Sequence, residues 1–291
     1  MNLAKDYPRR DYAIDQFTQP HVTELKGKNF RFVMDNGQIV LLNILCDEQC
    51  EWGFEGGEMK KAKYECLKGD DTTYLLDYDV AEKTELCNRE NHLYVIDLEQ
   101  SLVTRLVNTI GDNPRFPLLV KSVFEFGAID VPGQPLPFKR HCYTGELLGT
   151  QVEWHWNYSM FTQHQYFSPN YYRITWPEVS SAVQKIGGTF EYLPSADEIA
   201  YYIKIKDGLY LFSLTEEWME RIIDGSVPTF RSNCMTFIQN YDHMYHVGRT
   251  FGSIDKPDGS ETVPCRNLFG AFGNPLKLSH KFLNADNAFT V

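Results

Sequence analysis

Two stretches decide the fold: Gly27–Phe54, GKNFRFVMDNGQIVLLNILCDEQCEWGF, and Gly149–Trp176, GTQVEWHWNYSMFTQHQYFSPNYYRITW. They align without a gap over 28 residues. Gly27 meets Gly149, and Phe30, Phe32 and Met34 meet Val152, Trp154 and Trp156. Each triplet places large apolar residues at every second position, the period of a strand with one buried face. Asp35-Asn36-Gly37 then meets Asn157-Tyr158-Ser159, and Asn-Gly between alternating runs signals a hairpin. Asp47-Glu48 and Pro169-Asn170 mark a second turn in each copy.

The correspondence continues along the chain. YLLDYD (Tyr74–Asp79) resembles YLFSLT (Tyr210–Thr215). VIDLEQSLVTRLVNTIG, ending at Gly111, resembles FIQNYDHMYHVGRTFG, ending at Gly252, and FGAID (Phe126–Asp130) resembles FGAFG (Phe269–Gly273). Similar order and spacing predict two like domains. Ile199–Leu214 gives another hairpin around Asp207-Gly208. Only Glu216–Asp224 reads as helical, with Met219, Ile222 and Ile223 on one face. The expected fold is all-β: two tandem antiparallel β-barrels of about eight strands, a size that in lipocalins holds one small ligand. The expected boundaries are an N-terminal extension over 1–26, a barrel over 27–130, a linker over 131–148 rich in Pro and Gly, and a second barrel over 149–291.

Composition narrows the function. The formal net charge of −11 comes without a Lys/Arg cluster, which argues against nucleic-acid binding and against docking on anionic membranes. No apolar run reaches the length of a membrane span. No apolar leader follows Met1, and the seven cysteines show no framework spacing, so a reducing, cytosolic setting is expected. Cys46 and Cys50 have no second pair to complete a zinc site. No phosphate loop, dinucleotide fingerprint or nucleophile elbow is present. Neither a metal nor a cofactor is expected.

The elements GTQVEWHW, QYFSPNYYRITWPE, DGLYLFSLTE, HVGRTFG and FGAFGNPL resemble the C-terminal domain of molybdenum cofactor biosynthesis protein F. GKNFRFVMDNG and the residues up to FGAID resemble its N-terminal domain. The resemblance spans about residues 25–280 and implies calycin-like barrels; it carries no assigned reaction. A more distant likeness is to the phenolic acid decarboxylases, single calycin barrels. Leu214-Thr215-Glu216 matches their acidic element, but Trp154 and Trp156 stand where they have Tyr-x-Tyr, and no Arg follows a Gly at the matching place.

The second copy is the richer in chemistry. Trp154 and Trp156 share one strand face and could pack a core or wall a cavity for a flat ligand. Leu42 and Ile44 stand where the second copy has His164 and Tyr166, so the first copy reads as the filled one. His164 suits proton transfer near neutrality. A two-residue turn at Tyr158-Ser159 would pair Trp156 with Phe161 and turn His164 outward; a one-residue bulge would turn it inward. Arg173 would anchor a ligand's anion if it faces inward. Glu216 either starts the short helix or sits as an acid at a barrel rim. Tyr210, Trp176, Arg249 and Asn240 complete the expected ligand-binding set. His243 and His246, three apart, fall on opposite faces of a strand and so make a poor metal pair. His141-Cys142 lacks a base or orienting group for a catalytic dyad.

Two functions fit. One is a cofactor-independent lyase or isomerase/cyclase acting through Glu216, His164 and Arg173 on a small aromatic or unsaturated molecule with an anionic group. The other is a non-catalytic lipocalin-like carrier or accessory protein in a biosynthetic pathway, such as molybdenum cofactor synthesis. An enzyme should converge several ionisable groups inside one barrel; a carrier should show a mostly apolar pocket.

Overall fold

The structure is a computed structural model and describes residues 17–111, 114–115, 118–158, 161–175, 195–215, 230–255 and 260–279. Among them the regular elements are all β-strands. Residues Gln19–Cys142 form one compact unit, and the chain from Tyr143, joined by Phe17 and Thr18, forms the other.

The first unit is a closed antiparallel barrel of eight strands in sequence order. They are β1 (Asn29–Met34), β2 (Ile39–Ile44), β3 (Gln49–Phe54), β4 (Lys60–Lys68), β5 (Thr73–Glu85), β6 (Asn88–Asp97), β7 (Leu102–Ile110) and β8 (Val120–Ile129). Pairing of β1 with β8 shuts the ring. The burial of β1 alternates as its sequence does, with Phe30, Phe32 and Met34 inside. Closure leaves no ladder edge unpaired, which a flat sheet of this length would expose.

The second unit repeats the design. Its ring is β10 (Gln151–His155), β11 (Phe161–Ser168), β12 (Tyr171–Thr175), β13 (Ala196–Lys206), β14 (Leu209–Thr215), β15 (Phe230–Asn240), β16 (Tyr245–Asp255) and β18 (Leu268–Lys277). Pairing of β12 with β13 and of β10 with β18 closes it. Two short strands, β9 (Cys142–Tyr143) and β17 (Thr262–Cys265), lie outside the ring.

The duplication holds at the level of single hydrogen bonds. Gly27 and Gly149 both take the left-handed conformation, with φ of 78° and 91°. The Gly27 amide donates to the Ile44 carbonyl at 2.8 Å, and the Gly149 amide to the Tyr166 carbonyl at 2.7 Å. Ser101 and Met244, the two non-glycine residues with positive φ among the described residues, stand in the same place of corresponding hairpins. The Ser101 carbonyl accepts from the Ile129 amide and the Met244 carbonyl from the Gly273 amide. Ile129 thus corresponds to Gly273, which shifts the expected match of FGAID with FGAFG by one residue.

Leu25 is buried in the first core, although it precedes Gly27, and Leu147 is buried in the second, although it falls in the expected linker. Phe17 packs against Tyr158 and Phe272, with ring centroids 5.2 and 5.4 Å apart. The expected helix over Glu216–Asp224 lies outside the described residues.

Candidate functional site

The facing of β11 decides what the second barrel can do, and the first hairpin sets it. Trp154 pairs with Thr162 and Val152 with His164. Residues directly opposite on antiparallel strands share a face. Trp154 is fully buried inside, so Thr162, His164 and Tyr166 point inward with it. A two-residue turn would have paired Trp156 with Phe161; instead His155 holds that place. The first barrel shows the same offset, with Val33 opposite Ile39. There Gly37, at φ 87°, ends a three-residue turn in which the Met34 amide donates to the Gln38 carbonyl. Such a loop carries a one-residue bulge, which exchanges the faces of the strand that follows.

Inside, rings surround a few polar atoms. The Trp156 indole donates to Thr162 Oγ1 at 3.0 Å, and that hydroxyl lies 3.1 Å from His164 Nε2. The hydroxyl accepts from the indole and can either donate to Nε2 or accept from it, so both neutral tautomers of His164 fit this contact. Among the described residues Nδ1 meets no hydrogen-bond partner. Burial pulls the His164 imidazole down to about 3, so it is neutral at physiological pH. Tyr166 accepts from the Trp154 indole at 3.2 Å and from the Gln239 amide at 2.8 Å, and burial raises its phenol to about 12.

His246, on β16, lies between two parallel rings. Its centroid is 4.2 Å from Trp154 with 8° between planes, and 4.5 Å from Phe237 with 9°. It is fully buried, and neither ring nitrogen has a hydrogen-bond partner among the described residues. Burial, helped by nearby His164, holds it well below the ordinary histidine value. Glu198, also fully buried, stands opposite Tyr172 on β13, on the face shared by Ala196, Ala200 and Tyr202.

The expected site residues separate into several places. Trp154, Trp156, His164 and Tyr166 converge inside. Tyr210 also faces in, and its hydroxyl donates to Glu146 at 2.9 Å. Arg173 does not face in. Tyr172 and Ile174 take the inner face of β12, and alternation turns Arg173 outward, where it grips Asp197 at 2.7 and 2.9 Å. It cannot anchor an anion inside the barrel from there. Arg249 is buried, yet three residues from His246 it occupies the opposite face of β16. Asn240 closes the β15–β16 turn, its Oδ1 accepting from the amides of Asp242 and His243. Glu216 and Trp176 lie outside the described residues.

Glu198, Gln239 and His246 went unrecognised in the sequence as a site. For Glu198 a signal existed, because ADEIAYYIK places it two residues from Ala200 and four from Tyr202 on one strand face. Among the described residues no group of three His, Cys, Asp or Glu side chains could hold a metal ion. No helix among them is long and apolar enough to cross a membrane.

Residues 11–112 match the family model described as the MoaF N-terminal domain. Over these residues, about a third of the chain, the protein is similar to that domain. No curated protein matches the chain. The matched residues take in β1 to β7 of the first barrel, where Leu42 and Ile44 fill the positions that His164 and Tyr166 hold in the second. It is not a plainly apolar copy, however: Arg105, His92, Tyr78 and Tyr94 are buried in it as well.

Proposed function

We propose that the second barrel binds a small, flat aromatic or unsaturated molecule and moves a proton on it without a cofactor, as a lyase or an isomerase/cyclase does. The observation that carries this is His246: a buried imidazole held between Trp154 and Phe237 with both nitrogens unmet among the described residues. A buried polar atom without a partner costs about 1–3 kcal/mol. A guest whose polar end reaches the imidazole edge would recover that cost, while its flat body would lie against rings.

His164, kept neutral by burial, offers the guest its Nδ1, and Glu198 supplies the carboxyl group first sought at Glu216. Three ionisable groups, His164, His246 and Glu198, on the inner face of one barrel favour chemistry over carriage, since a carrier pocket needs few polar groups. With Arg173 outside, the guest's polar end is a neutral donor or acceptor in place of the anion first expected. The seven cysteines are all free thiols, which suits a cytosolic setting.

The test is a thermal-shift series with para-hydroxybenzoate and its neutral methyl ester on the wild type, His164→Gln and His246→Phe. The ester should raise the wild-type midpoint more than the acid does, and neither variant should respond. Equal responses in all three proteins would remove the second barrel interior as the site. A response without conversion of any aromatic ester, phenol or enone supplied would favour the carrier.

A further inference from the structure

Pairing registers allow the two barrels to be matched residue by residue. Asp97 opposite Leu102 and Asn240 opposite Tyr245 end corresponding hairpins. From there His92 matches Met235, Tyr94 matches Phe237 and Arg105 matches Gly248. Their cross-strand partners extend the match, Tyr78 to Leu214 and Glu125 to Phe269. Five neighbouring polar or ionisable positions of the first barrel are therefore apolar or glycine in the second. The exchange runs the other way too. His164, His246, Glu198 and Gln239 match Leu42, Val103, Ala62 and Ile96. One fold, duplicated, has placed its polar interior at two different locations.

In the first barrel those groups form a chain. Glu90 Oε1 accepts from His92 Nε2 at 2.8 Å. The carboxylate can only accept, so His92 Nδ1 is the bare nitrogen and takes the Tyr78 hydroxyl proton at 2.9 Å. Tyr94 OH lies 3.0 Å from Tyr78 OH. The hydrogen bond to His92 holds Glu90 down at about 2, and burial holds His92 at about 4, so the pair rests as carboxylate and neutral imidazole. Arg105 stands beside this chain, between Tyr94 and Glu125 on neighbouring strands. One guanidinium nitrogen donates to Glu125 at 2.8 Å and another lies 3.3 Å from His92. Its Nε is buried without a partner among the described residues. Trp52 stacks on Tyr78 at 5.5 Å, and the Phe54 ring lies 5.5 Å from the guanidinium. The Glu90 and Glu125 side chains are each 16% exposed while His92 is 1%, so the chain runs from solvent into the interior.

Arg105 is already balanced by Glu125, which suits its free Nε to a neutral carbonyl oxygen more than to a second anion. We propose that the first barrel is a separate acid–base site for a flat, enolisable ketone, in which Tyr78, backed by His92 and Glu90, takes the proton α to the carbonyl while Arg105 Nε donates to the carbonyl oxygen. The Tyr78 oxygen accepts the α-proton as its own proton passes to His92 Nδ1. The C–H electron pair becomes the C=C bond of an enolate, the C=O π pair moves onto the oxygen facing Arg105, and Glu90 balances the imidazolium. Return of the proton to the same or a conjugated carbon restores every group, so no co-reactant is consumed.

The experiment follows exchange of the α-protons of β-tetralone, a flat neutral ketone, into deuterium oxide by proton NMR with the full chain. The wild type should accelerate exchange above buffer, and Tyr78→Phe and His92→Gln should each lose roughly 100-fold of that acceleration, the lower range of general acid–base catalysis. Arg105→Gln should lose it as well, and Arg173→Ala, on the outer face of the other barrel, should keep it. Thermal midpoints show that each variant is folded, and Tyr78→Phe preserves the stacked ring. Exchange at the buffer rate with the wild type, or equal rates in the wild type and folded Tyr78→Phe, would overturn the proposal.

Discussion

Trp154 and His246 stack face to face, 4.2 Å between centroids and 8° from parallel. An indole on a neutral imidazole is a sound packing contact, but a phenyl ring would pack there equally well and leave no nitrogen unmet. His246→Phe is therefore expected to stabilise the protein by about 1–3 kcal/mol, the cost of burying unpaired polar atoms, while removing the response to methyl para-hydroxybenzoate. Urea unfolding checks the first part and thermal shift the second. A less stable His246→Phe that still binds the ester would show the imidazole to be structural.

Acid should loosen the fold at a mild pH. His92, His164 and His246 all have folded values below the ordinary 6.5 through burial. As pH falls through about 6.5, the unfolded chain takes up protons that the native state refuses, so stability declines. Each histidine contributes about 1.4 kcal/mol per pH unit until its folded value is reached, near 4 for His92 and near 3 for His164. Glu90 adds in the same direction below its ordinary 4.5, because its folded value is about 2. Urea midpoints near pH 7.5 and pH 5 measure the slope, and His164→Gln should reduce it by roughly a third. A flat profile would mean that these histidines are charged in the native state.

The paired glycines offer a test of the duplicated turn. Nothing lies within 4 Å of a Cβ built on Gly27 or Gly149, so a side chain there meets no clash. The left-handed backbone still costs an alanine about 1–2 kcal/mol, and Asn, which tolerates that region, should cost less. Gly27→Ala and Gly149→Ala should lower stability by similar amounts, and the Asn variants should recover part of it.

Arg173 shows where strand alternation decides against chemistry. As an exposed partner of Asp197 it should contribute under about 1 kcal/mol to stability, and Arg173→Ala should leave methyl para-hydroxybenzoate binding unchanged. A large loss of binding would mean that the outer face of β12 takes part.

Much of the fold was legible because strand period and turn residues are local. The pairing of Gly27 with Gly149, the hairpins and the order of strands all follow from short-range pattern. Facing was harder. A single residue at the first hairpin turn exchanges the two faces of β11, and only the three-residue loop ending at Gly37 shows which holds. The first barrel was expected to be filled because Leu42 and Ile44 are apolar, and at those positions it is. Its polar groups come from β5 to β8, where Tyr78, His92, Arg105 and Glu125 lie up to 47 residues apart and meet only through cross-strand register. No spacing within the chain announces such a group.

The most direct measurement of the central claim is the nitrogen-15 NMR spectrum of the imidazoles as methyl para-hydroxybenzoate is added near pH 7.5. The expected result is a saturable shift of the His246 ring-nitrogen resonances, assigned through His246→Phe, from unbonded toward hydrogen-bonded values. His246 resonances that stay fixed while the ester reaches saturation elsewhere, or that show hydrogen bonding before any ester is added, would contradict the account.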